Sequence, residues 1–418
     1  MAHIQDRWYN EVPDPADPEK TKRVKTDQHG KGLRYKVRWL DPEGAERSKS
    51  FPDGQLKAAR DFRSKQEVDM ALGDYVDPKA GKVTVAAFAK SWLADLDVDE
   101  LSRQNMEMRF RKRVIPYLGK AEMGRVKPSA IRNWDRLLRE DGLSDRYRHT
   151  LFGNVSAMFT AAMEDGLISK HPCRGKSVKQ PKAAQKKIIP WPEARVWTVQ
   201  QKLLERFRVT VDMAAGIGLR QGEVFGLAVE DVDFLRGVVH VRRQVKTVRY
   251  KHVFALPKYD KTRHVPLPEP VKLALAEHIR RFPPREITLP WDTPDGKPTT
   301  ARLIVTSVRG LAVAANDFNR NYWKVALKAA DVPYGRYENG MHELRHFFAS
   351  VLLDQGESIK AVAEWLGHAD PSFTLKIYTH LMPSSADRTK NVIGNLYGRR
   401  PETDSDGPDT AQGDQQAE

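Results

Sequence analysis

Apolar and polar residues change period several times along this chain. Near the start, Leu33, Tyr35, Val37 and Trp39 alternate with Arg34, Lys36 and Arg38. Period two predicts a strand with an apolar face inward and a cationic face outward. Asp41-Pro-Glu-Gly44 is a turn signal, and Glu46 to Phe51 reads as the returning strand. Gln55 to Leu72 predicts a helix with Leu56, Ala59, Phe62 and Val68 on one side. Residues 1–30 are polar, with Pro13, Pro15 and Pro18 and the basic run Lys20 to Lys25, and read as an extended arm. A small sheet backed by a helix, with Arg34, Lys36 and Arg38 facing out, suits a DNA groove as well as it suits plain solvent.

Asp77 to Lys82 is a short linker, after which the period becomes helical. Thr84 can cap a helix carrying Val85, Phe88, Trp92 and Leu96. Ser102 starts a second, which holds Arg109, Arg111, Lys112 and Arg113 and ends near Leu118-Gly119. Lys127-Pro-Ser129 opens a third, with Ile131, Trp134, Leu137 and Leu138 inward, and a fourth runs from Ser144 to Asp165 and stops at Gly166. This predicts a small all-helical domain whose basic side chains would contact phosphates rather than read bases. Gly175 to Pro190 holds Lys176, Lys179, Lys182, Lys186 and Lys187 with little apolar content, and reads as an exposed cationic linker.

The largest region runs from Trp191 to about Arg400. Val209 to Leu219 predicts an apolar helix that breaks at Gly216-Ile-Gly218, and Arg220-Gln-Gly-Glu223 follows. Glu223 stands three residues from Arg220, near enough to orient its fork. Val238 to Val248 and Phe254 to Leu267 read as strands of a hairpin-rich sheet, with Lys258 in the stretch Pro257 to Leu267. Pro283 to Thr300 is proline-rich and reads as a loop, and Asp317 to Ala330 as a helix. The acidic residues 401–418, poor in apolar side chains, read as disordered.

Charge changes the picture more than composition does. The 418 residues carry a net charge of +15. Residues 81–189 and 190–400 each contribute +10, against +1 for residues 1–80 and −6 for residues 401–418. Two cationic central segments favour a polyanionic partner, nucleic acid above all. No apolar run approaches a membrane span, and the N-terminus lacks the apolar core of a secretory signal. The single cysteine, Cys173, excludes an internal disulfide and a multi-cysteine zinc site and suits a reducing cytoplasm.

The densest chemistry lies between Met341 and His380. His342, Arg345 and His346 are spaced to share one helix face. Gly367 follows the apolar-periodic run Ile359 to Leu366 and reads as a helix stop that places His368 in a bend. Tyr378 lies on a further helical pattern after Pro371-Ser372. Three readings stay open here. His342-Glu-Leu-Arg-His346 matches H-E-x-x-H, a zinc motif in which Glu343 would be the base, with Glu364 and His368 as possible third ligands. Alternatively Arg345 and the histidines grip a phosphate that Tyr378 attacks. The third reading is a helix with a polar face.

Four separated elements decide among them: Gly218-Leu-Arg-Gln-Gly-Glu223, Lys258 before Val265-Pro-Leu267, His342-Glu-Leu-Arg345, and Leu366-Gly-His368 with a tyrosine ten residues on. In order and spacing they resemble the tyrosine recombinases, the phage-integrase family. The resemblance covers about residues 190–400 as catalytic domain. It extends more loosely to residues 83–175 as the family's core-binding, SAM-like helical domain, and most weakly to residues 1–80 as an arm-type DNA-binding domain. The implied fold class is multidomain and mostly α with small β-sheets. It comprises an N-terminal three-stranded sheet plus helix, an all-α core-binding domain, a basic linker over residues 176–189 and a mixed α/β catalytic domain.

The resemblance also implies roles. Arg220 and Arg345 would clamp the scissile phosphate, His342 and His368 would complete the donor set, Lys258 would protonate the leaving oxygen and Tyr378 would be the nucleophile. Glu223 and His346 would support them, and His380 would be structural. Arg34, Lys36, Arg38, Arg109, Arg111, Lys112, Arg113, Lys182 and Lys186 are expected to contact DNA. No metal, cofactor or ATP is implied, because one ester replaces another. Expected partners are double-stranded attachment sites and three further copies of the chain in a tetramer on synapsed DNA. A host bending factor and a directionality factor are further candidate partners, in a cytoplasmic, nucleoid-associated setting without a membrane. The segment from about Ser384 to Tyr397 would pack onto a neighbouring protomer. A type IB topoisomerase would share the chemistry, a zinc metalloprotease would use only the H-E-x-x-H residues, and a non-catalytic DNA-binding protein would need none of these groups.

Overall fold

The computed structural model describes residues 2–14, 17–42, 44–71, 80–183, 189–335, 338–368, 370–378, 390 and 393–394. Lys186, His380, the segment from Ser384 to Tyr397 apart from its isolated residues, and the acidic tail lie outside the described residues. The chain divides into two compact units, Met1–Gln185 and Lys186–Glu418.

The first unit opens with β1 (His3–Asp6), β2 (Tyr9–Asp14), β3 (Asp17–Lys25), β4 (Tyr35–Leu40), β5 (Glu46–Phe51) and α1 (Leu56–Ala71). The three-stranded sheet has the order β1-β4-β5, antiparallel throughout. Tyr35, Val37 and Trp39 point inward as period two requires, and Ala59 of α1 is buried with them. Three expectations need correction. Residues 1–30 are not an extended arm: β1 pairs with β4, and β2 pairs with β3 in its own hairpin, so backbone groups that an arm would leave to water are satisfied by neighbours. The strand begins at Tyr35 rather than Leu33, which is exposed. Val68 is also exposed, because the face of α1 turned to the sheet carries Leu56, Ala59, Phe62, Gln66 and Met70, and Val68 lies off that face.

The helical part follows as α2 (Val85–Asp95), α3 (Glu100–Arg109), α4 (Ile115–Leu118), α5 (Pro128–Glu140) and α6 (Asp145–Glu164). A π turn over Phe110–Val114 joins α3 to α4. Thr84 caps α2 as expected, Ser144, the expected start of the fourth helix, caps α6, and α3 starts at Glu100 rather than Ser102, capped by Asp99, whose carboxylate accepts from the Ser102 N–H. Phe110, Ile131, Trp134, Leu138 and Phe159 fill its core.

The second unit contains α7 (Glu193–Lys202), α8 (Glu205–Gly216), α9 (Gln221–Gly226), β6 (Val232–Asp233), β7 (Val238–Val241), β8 (Gln244–Val248), β9 (Lys251–Ala255), β10 (Arg263–Pro266), α10 (Glu269–Arg281), β11 (Arg285–Pro290), β12 (Pro298–Leu303), α11 (Ala315–Phe318), α12 (Lys324–Ala329), α13 (His342–Asp354), α14 (Ile359–Leu366) and α15 (Pro371–Tyr378). The expected long strand from Val238 to Val248 is two strands. Arg243, between them, turns its guanidinium onto the buried carboxylate of Asp231 at 2.8 Å. β7 then pairs with β10 and β6, while β8 pairs with β9. The proline-rich stretch expected as a loop is a hairpin of β11 and β12. Pro290 ends one strand and Pro298 starts the other, where a missing N–H costs no ladder bond, and Ile287, Ala301 and Leu303 face the core.

Candidate active site

α8 ends at Gly216, and Gly218 takes a left-handed φ of +66°. A Cβ there would come within 2.5 Å of the Phe348 ring, so glycine allows both the turn and the close approach of α13. Arg220 then caps α9. Its backbone N–H and its Nη1 donate to the two oxygens of Glu223 at 2.8 and 2.9 Å, and its Nη2 donates to the Gly367 carbonyl at 3.2 Å. Arg345, one turn into α13, is buried. Its Nη1 donates to the Gly218 carbonyl at 2.5 Å, and its Nη2 donates to the Leu366 carbonyl. Gly367 ends α14 at φ +62°, the left-handed stop expected from its place after Leu366, and presents His368 to the same spot. His368 Nε2 lies 3.3 Å from Arg345 Nη2.

Tyr378, at the end of α15, is 2% exposed, and its hydroxyl lies 2.5 Å from His346 Nδ1. His346 meets His342 edge to face at 4.5 Å between ring centres. The structure therefore gathers Arg220, Glu223, His342, Arg345, His346, His368 and Tyr378 from α9, α13, the bend after α14, and α15. Lys258 lies in an exposed turn after β9, its ammonium 5.1 Å from the Tyr259 ring, with Tyr259 and Asp260 at positive φ. Lys261 lines a cavity of about 470 Å³ with Arg263, His264, Lys360, Gly367 and His368.

Two residues that sequence reasoning missed complete the cluster. Arg263 of β10 donates from Nη1 and Nη2 to both Glu223 oxygens at 2.9 and 2.7 Å, and from Nε to the Trp365 carbonyl. Its signal was a cation on the inward phase of a strand, two residues before Val265. Thr374 is fully buried, and its hydroxyl lies 2.7 Å from His368 Nδ1. Its signal was a hydroxyl four residues before Tyr378, on the same helix face.

Glu223 thus faces three guanidiniums. Burial alone would raise its carboxyl, but the hydrogen bonds and charge of Arg263, with the charges of Arg220 and Arg345, hold it down at about 2. Burial and the charge of Arg220 work against the Arg345 cation, which an incoming anion would relieve. Burial is also the main reason the imidazoles are depressed. His342 falls to about 3 with help from His346 and Arg345, His368 to about 3 with help from Arg345 and Arg220, and His346 to about 4 with help from Arg345. Burial pushes the Tyr378 phenol up, with Arg345 opposing. Excess positive charge, neutral imidazoles and a phenol suit an anion. They do not suit a divalent cation, since guanidiniums adjoin His342 and His346 already serves the phenol.

These shifts carry a sign. Each folded imidazole titrates below its unfolded value of 6.5, so the unfolded chain binds more protons in between. The stability of this unit is therefore full above about pH 6.5 and drains as pH falls toward the folded values of about 3 to 4. Denaturant midpoints across that window should fall with acid, and a flat profile would contradict the burial of neutral rings.

Among the residues expected to contact DNA, Arg34 is corrected. Its guanidinium pairs with Asp6 and Asp53, each at 2.9 Å, and lies over the Tyr9 and Tyr35 rings, so it holds β1 to β4 instead of facing outward. Arg38 pairs with Glu46 at 3.0 Å and Arg113 with Asp141 at 3.3 Å, while Arg109 donates to Asn154 at 3.4 Å. Lys36 is half-buried, and Arg111, Lys112 and Lys182 are exposed.

Comparison with known proteins finds relatives of both units. Residues 194–384 match the phage integrase family and residues 84–136 the N-terminal SAM-like domain of phage integrase. The "Tyrosine recombinase XerC-like" protein of Caldanaerobacter subterraneus subsp. tengcongensis is 27% identical over 336 residues, spanning 75% of this chain and 84% of that protein. The integrase of Mycobacterium phage D29 is 26% identical over 303 residues, spanning 71% and 75%. Among solved structures, the Tn1549 transposon integrase in complex with transposon right end DNA has a TM-score of 0.62 at 22% identity and covers 75% of this chain and 99% of its own. A lambda integrase tetramer bound to a Holliday junction has a TM-score of 0.56 at 14% identity, covering 85% and 93%. Fold and matched domains together define a DNA strand-transferring enzyme. The chain belongs to the phage integrase family, the tyrosine recombinases.

Proposed function

We propose that this recombinase is the integrase of a mobile element, a temperate phage or integrative plasmid, and joins the element's attachment site to a chromosomal one. The observation that carries the reading is the buried phenol of Tyr378, bonded to His346 on the helix that presents Arg345. Arg220 and Arg345 clamp the non-bridging oxygens of the scissile phosphate, where their forks match its geometry and its developing charge. His342 and His368 add donors. Tyr378 attacks phosphorus to form a 3′-phosphotyrosine, and Lys258 protonates the departing 5′-oxygen. The 5′-hydroxyl of a second strand then displaces the tyrosine. Residues 1–80 serve as arm-type module, residues 83–175 and the linker 176–189 grip the core site, and residues 190–400 carry the chemistry. Four copies act on two synapsed duplexes, with host bending and directionality factors as further partners, at the nucleoid.

Covalent capture tests this. Nicked suicide duplexes tiled across the DNA flanking the coding sequence should yield, in EDTA, an adduct mapped to Tyr378. An adduct elsewhere, or one that needs added zinc, would overturn the reading. Joining of two short duplexes separates an integrase from a topoisomerase-like enzyme.

Thr374 orients His368 in this scheme. With Arg345 donating to Nε2, the Nδ1–H donates to the Thr374 hydroxyl, and once phosphate takes an Nε2–H the same hydroxyl can turn and donate to Nδ1. Thr374→Val should slow adduct formation about tenfold, the equivalent of one hydrogen bond of about 1.4 kcal/mol, and Thr374→Ser should restore it. Equal rates in the Val and Ser variants would remove the role.

A further inference from the structure

We infer that His346 is the base that takes the phenol proton of Tyr378 during attack; this rests on the reading of Tyr378 as nucleophile. The two atoms that would exchange the proton, Tyr378 Oη and His346 Nδ1, already lie 2.5 Å apart. A phenol 2% exposed has little access to water as an acceptor, so its proton must leave through the protein. His342 does not hold that position: its ring meets the His346 ring edge to face at 4.5 Å. The helix explains the division of labour. His342 and His346 are one turn apart on α13, which sets one ring above the other and brings the second against Tyr378 of α15. Among the described residues, the ionisable groups around His346 and its phenol are His342, Glu343 and Arg345 on its own helix, His368 from the bend after α14, and Tyr378 on α15.

Its protonation state fits the task. Burial and Arg345 keep the ring neutral at neutral pH. With Nδ1 facing the phenol as acceptor, the ring proton sits on Nε2. During cleavage the O–H bond of Tyr378 breaks, its electron pair forms the O–P bond, and the proton passes to Nδ1. The P–O5′ bond breaks with its pair on the 5′-oxygen, which takes a proton from the lysine ammonium. In rejoining, the 5′-hydroxyl gives its proton to the lysine amine as its oxygen bonds phosphorus, and the phenolate leaves phosphorus and recovers the proton from the imidazolium. The adjacent Arg345 cation disfavours that imidazolium, so the proton returns readily and one residue serves both directions.

His346→Asn provides the test, because an Asn side chain can reach the Nδ1 position and bond the phenol but cannot take its proton. In single-turnover capture on the suicide duplexes, His346→Asn should form adduct about 10²- to 10⁴-fold more slowly. DNA affinity should be unchanged, and the rate should climb with pH as hydroxide replaces the missing base. Imidazole added to His346→Ala should restore part of the rate. An Asn variant within about twofold of wild type, with the same pH profile, would overturn the assignment. If His346→Asn lowers the thermal midpoint, the imidazole experiment decides, and no restoration overturns it. Tyr378→Phe runs beside it. Adduct formed by Tyr378→Phe would sink the nucleophile itself, whereas an inert Tyr378→Phe beside a normal His346→Asn would sink only the base.

Discussion

Tyr378→Phe should abolish covalent capture of DNA while leaving DNA binding close to that of wild type. The variant removes the only atom of the side chain that can bond phosphorus. Loss of a nucleophile in a preorganised site costs about 10⁴-fold or more in the chemical step, because the remaining groups still bind and polarise the substrate but have nothing to deliver. Phe retains the packing of a ring 2% exposed among Phe348, Ala349, Leu353, Val362 and Leu366. The fold loses only the bond to His346 and leaves Nδ1 without a donor, a cost of about 1–3 kcal/mol. Binding and cleavage should therefore separate: gel shifts on the flanking duplexes persist, and denaturing gels show no adduct. Residual adduct within tenfold of wild type would assign the nucleophile elsewhere.

Glu223→Gln should be the most damaging change outside the reacting groups. The Glu223 side chain is fully buried and accepts from the Arg220 backbone N–H, from Arg220 Nη1 and from both forks of Arg263, with the Arg345 charge also felt there. Gln keeps the shape and part of the hydrogen bonding but removes the counter-charge. Three guanidiniums then face one another in a poorly solvated space. Removing one partner of a buried ion cluster costs about 3–5 kcal/mol, against about 1 kcal/mol or less for an exposed pair. The denaturation midpoint of the unit holding the site should drop, with adduct formation falling alongside as Arg220 loses its anchor.

The acid limb offers a second check on Glu223. The carboxyl is held at about 2 against an ordinary 4.5, so its stabilisation is present above about pH 4.5 and lost as pH falls toward 2. That loss should vanish in Glu223→Gln, leaving the separate imidazole window at higher pH. An unchanged midpoint would mean that water, rather than protein, solvates the three cations.

Reading the chain from its pattern worked where causes are local. The cap at Thr84, the helix start at Ser144, the stop at Gly367, the inward phase of Tyr35, Val37 and Trp39, and the three-residue link from Arg220 to Glu223 all depend on neighbours within about one helical turn or one strand repeat. The order of Arg220, Lys258, His342, Arg345, His368 and Tyr378 likewise carried the resemblance to the family that the matched domains show. What periodicity could not supply was the identity of distant partners. Arg34 looked outward by phase, yet Asp6, 28 residues away, draws it back. Arg263 looked like an ordinary basic residue until Glu223, 40 residues earlier, came beneath it. The proline-rich stretch became a hairpin only because its prolines fall at strand ends. Thr374 and His346 acquired partners only once α13, the bend after α14, and α15 had packed together. Spacing along the chain determines local geometry, but a buried charge or hydroxyl must find its partner wherever folding brings one within reach, and only the tertiary structure decides which partner that is.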